Sequence, residues 1–279
     1  MLFVFGSTYS QDTVTIRNES LQSLELELYF NHSGIDTYLG SGSGFVIKSK
    51  TRYYLVTNYH VITGGKTIDG FWEIGSSKIL PNKIKIHYLS NTTPGDSIIK
   101  YESLYDKKFK QLWIQDSVLV DGKNKLIDVV ELPLNDTSRA SINPINYHID
   151  VNKYVILQPT DILFIIGYPF SLNLHLTSHG LPIWESGIIS SEPNLPDDLN
   201  IWVNATTFPG MSGSPAYFIS NGTYWDSKKR GYLTASIFVG VFSAVQQVNT
   251  NGNNTQKEYD IYSIIWKATY LRGIFDKLN

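Results

Sequence analysis

Three residue types that together can make a reactive hydroxyl occur in this chain in the order His60, Asp128, Ser212, separated by 128 − 60 = 68 and 212 − 128 = 84 positions. A serine hydroxyl is a poor nucleophile at neutral pH. An imidazole can take its proton and pass it to a leaving group, while a buried carboxylate holds the ring in the required tautomer. Such a set supports acyl transfer through a serine ester. Ser212 lies in Phe208-Pro209-Gly210-Met211-Ser212-Gly213-Ser214-Pro215, where glycines and prolines favour a tight turn with the hydroxyl pushed outwards. That turn would leave the N–H groups of Gly210 and Ser212 without ladder partners, free to face the oxygen of an attacked carbonyl. Alone, the octet reads equally well as a turn between two strands. It is not the strand-to-helix elbow G-x-S-x-G, because Ser214 stands where the final glycine would be.

Context singles out the other two. His60 follows the β run Arg52-Tyr53-Tyr54-Leu55-Val56-Thr57 and precedes Gly64-Gly65, so a strand end is expected to aim its ring into a cleft. Asp128 sits inside the apolar run Leu126 to Leu134, where an ionised carboxylate is costly unless paired, and His60 answers that demand. His32, His87, His148, His175 and His179 lack the strand-end context and read as surface or rim residues. Asp116, Asp121 and Asp136 occupy polar loop contexts and read as solvated carboxylates.

The elements that must position these residues read as β throughout. Leu24 to Phe30 alternates apolar and charged side chains, the period of a half-buried strand. Gly40-Ser41-Gly42-Ser43-Gly44 reads as a loop before a hairpin of Phe45-Val46-Ile47 with Arg52 to Thr57. It is not a phosphate loop, since no Lys-Ser/Thr closes it. Further strands are expected at Lys83 to Leu89, Ser97 to Leu104, Leu126 to Leu134, Asp161 to Pro169, Leu181 to Ile189, Asn200 to Val203, Ser214 to Ile219, Ser236 to Val245 and Tyr259 to Ile264. Asn143 to Pro159 reads as a loop and a boundary. Trp266 to Lys277 is the one long helical candidate, with Ala268, Leu271, Ile274 and Phe275 at helical spacing.

Composition narrows the function classes. The 279 residues carry a net charge of −2 and no Lys/Arg run that would track phosphates, which argues against nucleic acid as a partner. With no cysteine, a disulfide framework or thiolate metal site is excluded, and no H-E-x-x-H pattern suggests a zinc hydrolase. Nothing implies a metal or organic cofactor. No apolar run approaches the ~18 residues of a spanning helix. Met1 to Phe5 with Thr8-Tyr9-Ser10 before Gln11 fits either the tail of a signal peptide to about residue 10, implying a secreted or periplasmic protein, or a frayed terminus, implying a cytoplasmic one.

Leu55-Val56-Thr57-Asn58-Tyr59-His60-Val61, Asp128-Val129-Val130-Glu131-Leu132-Pro133-Leu134 and Gly210-Met211-Ser212-Gly213-Ser214-Pro215 resemble the His, Asp and Ser boxes of chymotrypsin-fold (trypsin-like) serine peptidases, most closely the bacterial, disulfide-free domains. Phe164 to Phe170 and Leu181 to Gly187 look like that group too, so the likeness runs from about Gly42 to Trp266. It implies an all-β fold of two six-stranded antiparallel barrels: residues 21–145 carry His60 and Asp128, residues 146–265 carry Ser212, and a C-terminal helix spans 266–279, after an N-terminal segment 1–20. The implied oxyanion hole is formed by the N–H groups of Gly210 and Ser212. By alignment, Thr206 falls at the base of the primary pocket, and Ser243-Ala244-Val245 form the edge that takes up substrate backbone. With no acid at that base, a small or medium apolar side chain is expected before the cut bond. Met211 replaces the aspartate that pairs with a new N-terminus in digestive members, so the site is expected to form without processing. The implied partner is a peptide or protein substrate, with the oligomeric state open. A non-catalytic peptide-binding module and a carboxylester hydrolase with the same triad are the alternatives.

Overall fold

Runs of β-branched and aromatic residues separated by glycine-, asparagine- and proline-rich breaks fold into sixteen strands among the described residues. The computed structural model describes residues 16–68, 71–73, 79–90, 97–120, 122–138, 140–148, 156–169, 180–195, 198–226, 231–250 and 257–278. Candidates His175, His179 and Asp121, together with residues 1–15, lie outside them.

A short helix, α1 (Asn18–Gln22), leads into β1 (Ser23–His32), β2 (Ile35–Ser49) and β3 (Arg52–Thr57). After α2 (Tyr59–Thr63) come β4 (Lys66–Ile68), β5 (Phe71–Glu73), β6 (Lys83–Ser90), β7 (Ser97–Ser103), β8 (Ile114–Val120), β9 (Lys123–Pro133) and β10 (Ala140–Ser141). These ten strands make one antiparallel sheet in the order β10-β6-β1-β2-β3-β9-β5-β4, with β7 beside β6 and β8 beside β9. The second half holds β11 (Ile162–Gly167), β12 (Ile183–Ile189), β13 (Asn200–Ala205), β14 (Pro215–Asp226), β15 (Gly231–Thr250) and β16 (Lys257–Lys267). They close into a six-stranded barrel, β11-β12-β13-β16-β15-β14, and α3 (Ala268–Phe275) follows.

Three apolar clusters hold these layers together. The N-terminal lobe curls around Leu26, Val46, Leu55, Ile84, Ile86 and Leu132. The C-terminal barrel is filled by Leu163, Ile165, Val203, Met211, Ala216 and Ile265. Between them, Phe45, Val56 and Val129 of the first lobe meet Tyr217, Phe238 and Trp266 of the second, capped by Leu271 and Phe275 of α3. Burying a side chain of this size contributes roughly 1.5–3 kcal/mol, so this third cluster fixes how the lobes sit against each other.

Several expectations are altered. The all-β class and the terminal helix are observed, but among the described residues only the second half closes as a ring; in the first, β4, β5 and β10 are just two or three residues long. The glycine run expected to loop instead continues β2, with Leu26 opposite Gly42 and Leu24 opposite Gly44. A Cβ on Gly44 would stand 2.8 Å from the Val56 carbonyl oxygen, so the absence of side chains lets neighbouring strands close in. Strand β1 is covered on both faces rather than one: Glu25 and Glu27 are buried, and Glu27 takes bonds from Lys85 Nζ at 2.8 Å, His87 Nε2 at 2.6 Å and the Tyr29 hydroxyl. His87 is therefore paired within the sheet, while His32 and His148 are exposed. Strands β4, β5, β8 and β10 are additional to those expected from the sequence.

The N-terminal segment touches the far lobe before it enters its own. Trp184 Nε1 donates to Ser20 Oγ at 2.9 Å, the Tyr217 hydroxyl to Gln22 Oε1 at 2.6 Å, and Ser23 Oγ to the Ile166 carbonyl at 2.8 Å.

Candidate active site

His60 reaches its place by a change of element. β3 ends at Thr57, and α2 carries His60 in its first turn before Gly64, at φ +67°, stops the helix. The ring thus sits just past the strand end rather than on it. Its backbone N–H donates to Asp128 Oδ1 at 2.8 Å, and its Nδ1 lies 2.6 Å from Oδ2. Asn58 Nδ2 holds the Asp128 carbonyl at 2.6 Å, so main chain and side chain are both pinned. The Asp128 side chain has no exposed surface, while 18% of the His60 side chain remains open to solvent.

Ser212 comes from the other lobe. Its turn is built by Met211 N–H to Phe208 C=O (3.1 Å) and Ser214 N–H to Met211 C=O (3.0 Å), and is tied to β15 by Gly213 N–H to Phe242 C=O (2.9 Å). Gly210 at φ +98° and Gly213 at +88° adopt the left-handed region that side chains resist. Among the described residues, neither the Gly210 N–H nor the Ser212 N–H has a hydrogen-bond acceptor. Met211 turns its side chain into the barrel core.

Ser243 joins the two halves. It is the extra residue of a bulge in β15, where pairing with β16 slips between Phe242 and Ala244. Bulges re-aim side chains, and this one turns the Ser243 hydroxyl onto Asp128 Oδ2 and frees its carbonyl to accept from Ser212 Oγ at 3.0 Å. A hydrogen-bonded chain therefore runs His60–Asp128–Ser243–Ser212 across the junction of the lobes.

A sequence profile of the trypsin-like peptidase domain matches residues 42–223, well over half of the chain. The chain belongs to that family. No curated protein matches it. The family match spans the segments carrying His60, Asp128 and Ser212, and the absence of cysteine makes this a disulfide-free trypsin-like domain. It ends before Ser243.

Ala244 and Val245 pair with Ile264 and Ser263 of β16, and among the described residues no strand runs along their other edge. Thr206 is exposed just after β13, whereas Thr207 turns inwards, with its Oγ1 3.4 Å from the buried Ser263 hydroxyl. Asp116 is partly exposed on β8, and Asp136 bonds Lys100 at 2.6 Å on the surface. A second acid of β9, Glu131, is fully buried, and neither carboxyl oxygen has a hydrogen-bond partner among the described residues. Burial, with Asp116 acting in the same direction, pushes its pKa well above the usual carboxylate range.

Proposed function

We propose that this trypsin-like domain is a serine endopeptidase working through an acyl-enzyme, with Ser212 as nucleophile, His60 as general base and acid, and Asp128 as the group that orients the ring. The observation that carries the reading is the Nδ1–Oδ2 contact of 2.6 Å, in a pair linked by hydrogen bonds through Ser243 to Ser212. With its Nδ1 proton held by Asp128, the imidazole offers Nε2 as the lone pair. Ser212 Oγ donates to the Ser243 carbonyl and not to His60, so this reading requires the hydroxyl to leave that carbonyl and turn to Nε2.

In the reaction, Ser212 Oγ bonds to the carbonyl carbon of the peptide while its proton passes to His60 Nε2. The carbonyl oxygen gains the negative charge and is met by the N–H groups of Gly210 and Ser212, each such donor being worth roughly 10² to 10³ in rate. His60 then protonates the departing amine and the C–N bond breaks. Water repeats the sequence on the acyl ester, its proton going to His60 and then to the released serine oxygen. The open edge at Ala244 and Val245 would align the substrate backbone by strand addition. With Thr206 at the base of the primary pocket by alignment and no acid there, a small or medium apolar side chain before the cut bond fits this reading better than arginine.

A fluorophosphonate probe tests the reading. Wild-type protein should be labelled and Ser212→Ala should not; a folded wild type that takes up no label would leave a binding module as the better account. Ester turnover without cleavage of a peptide library would indicate a carboxylester hydrolase.

A further inference from the structure

The two residues proposed to hold the oxyanion are themselves held by a single residue of the opposite lobe. Ser43, in the middle of β2, donates its N–H to the Ser212 carbonyl at 2.8 Å and its Oγ to the Gly210 carbonyl at 2.9 Å. The same Oγ accepts the Tyr168 N–H at 2.9 Å, and the Ser43 carbonyl accepts Thr57 Oγ1 at 2.7 Å. Ser43 is fully buried.

These bonds clamp two peptide planes at both ends. The Gly210–Met211 plane has its oxygen on Ser43 Oγ and its N–H on the Phe208 carbonyl. In the Ser212–Gly213 plane the oxygen meets Ser43 N–H and the N–H meets the Phe242 carbonyl. Gly210, at φ +98°, has no Cβ to resist rotation, so its orientation must be imposed from outside. Gly213 leaves no slack either, because a Cβ there would overlap the Ser43 carbonyl oxygen and Thr57 Oγ1.

We infer that Ser43 is a positioning residue: its hydroxyl and N–H fix the Gly210–Met211 and Ser212–Gly213 peptides, which flank the Pro209–Gly210 and Met211–Ser212 peptides carrying the oxyanion-binding N–H groups, and so keep those groups aimed. The inference rests on the serine-peptidase reading and adds to it that the first lobe supplies the frame of a hole built from the second. Ser43 touches no substrate in this account. It acts through Gly210 and Ser212, so its loss should slow the chemical step and leave ground-state binding alone.

The test compares wild type, Ser43→Ala, Ser43→Cys and Thr57→Val in p-nitrophenyl ester hydrolysis, fluorophosphonate labelling rate and thermal melting. Ser43→Ala is expected to lower kcat and the labelling rate by about tenfold to a hundredfold, part of the effect of losing a donor outright, with KM within about twofold. Thr57→Val removes a bond to the same residue but not the Gly210 clamp, and should lower the melting temperature with kcat near wild type. Ser43→Cys keeps a weak donor and should fall between wild type and alanine, which keeps the test decisive if the alanine variant does not fold. An unchanged kcat in folded Ser43→Ala or Ser43→Cys, or an equal loss in Thr57→Val, overturns the inference while wild-type activity leaves the peptidase reading standing. A wild type that is folded but neither labelled nor active removes both.

Discussion

Asp128 and Glu131 are acids three positions apart on β9, both without exposed surface, yet their surroundings are opposite. Asp128 lies on the face of Val130 and Leu132, at the rim where α2 and the β15 bulge converge, and receives at least three donors: His60 N–H, His60 Nδ1 and the Ser243 hydroxyl. Glu131 lies on the face of Ile127 and Val129, against the core between the lobes, and no donor reaches it among the described residues. Burial on its own therefore does not make a carboxyl functional. A buried acid surrounded by donors is a built site, whereas one among apolar side chains resists ionisation and costs stability.

Asp128→Asn should have the largest effect. An amide presents the wrong group to Nδ1, and in enzymes with this arrangement the loss in kcat is roughly 10⁴-fold; ester hydrolysis at neutral pH measures it. A loss below tenfold would place Asp128 in the same passive class as Glu131. Glu131→Leu should do the reverse, raising the unfolding free energy in urea by about 1–3 kcal/mol with kcat unchanged. Destabilisation instead would mean that Glu131 has a partner worth more than its burial costs.

The effect of pH separates the two acids further. Glu131 has a folded-state pKa above its ordinary value of 4.5, so folded protein holds this proton more tightly than unfolded chain does. Its contribution to stability is fully present below that value and is lost as pH rises through the folded-state pKa. Melting curves of wild type and Glu131→Leu should accordingly diverge with rising pH, the leucine variant gaining, then run parallel. Ser243→Ala gives the smallest effect: with one donor fewer on Asp128, kcat should fall about tenfold, with little change in melting temperature. An unchanged kcat would show that the His60 contacts alone keep Asp128 in place.

Much of this site was legible from residue types. His60, Asp128 and Ser212 stand out because each occupies a context that its chemistry needs, and the requirement that a buried acid find a partner correctly tied Asp128 to His60. The same requirement, applied evenly, would have flagged Glu131, which sits in the same apolar run. What sequence could not carry were contacts made across the junction of the lobes. The glycine run around Ser43 looked like a loop because loops and tightly packed strands both favour glycine, and only the approach of Val56 and of the Ser212 turn distinguishes them. Ser243 was expected to meet substrate through its backbone, but the bulge that sends its hydroxyl to Asp128 leaves no mark in local composition. Thr206 and Thr207 are neighbours in sequence, yet Thr206 is exposed while Thr207 Oγ1 lies 3.4 Å from the Ser263 hydroxyl.

The docking of α1 and the first residue of β1 bears on the order of events during synthesis. Ser20, Gln22 and Ser23 find their partners at Trp184, Tyr217 and Ile166, between 143 and 195 positions later in the chain. As the polypeptide leaves the ribosome from its N-terminus, this segment waits unsatisfied until most of the C-terminal barrel has emerged, a long-range closure of the kind that slows folding. Locking α1 in place is thus a late event, and its protection from hydrogen exchange would report that both lobes are complete and joined.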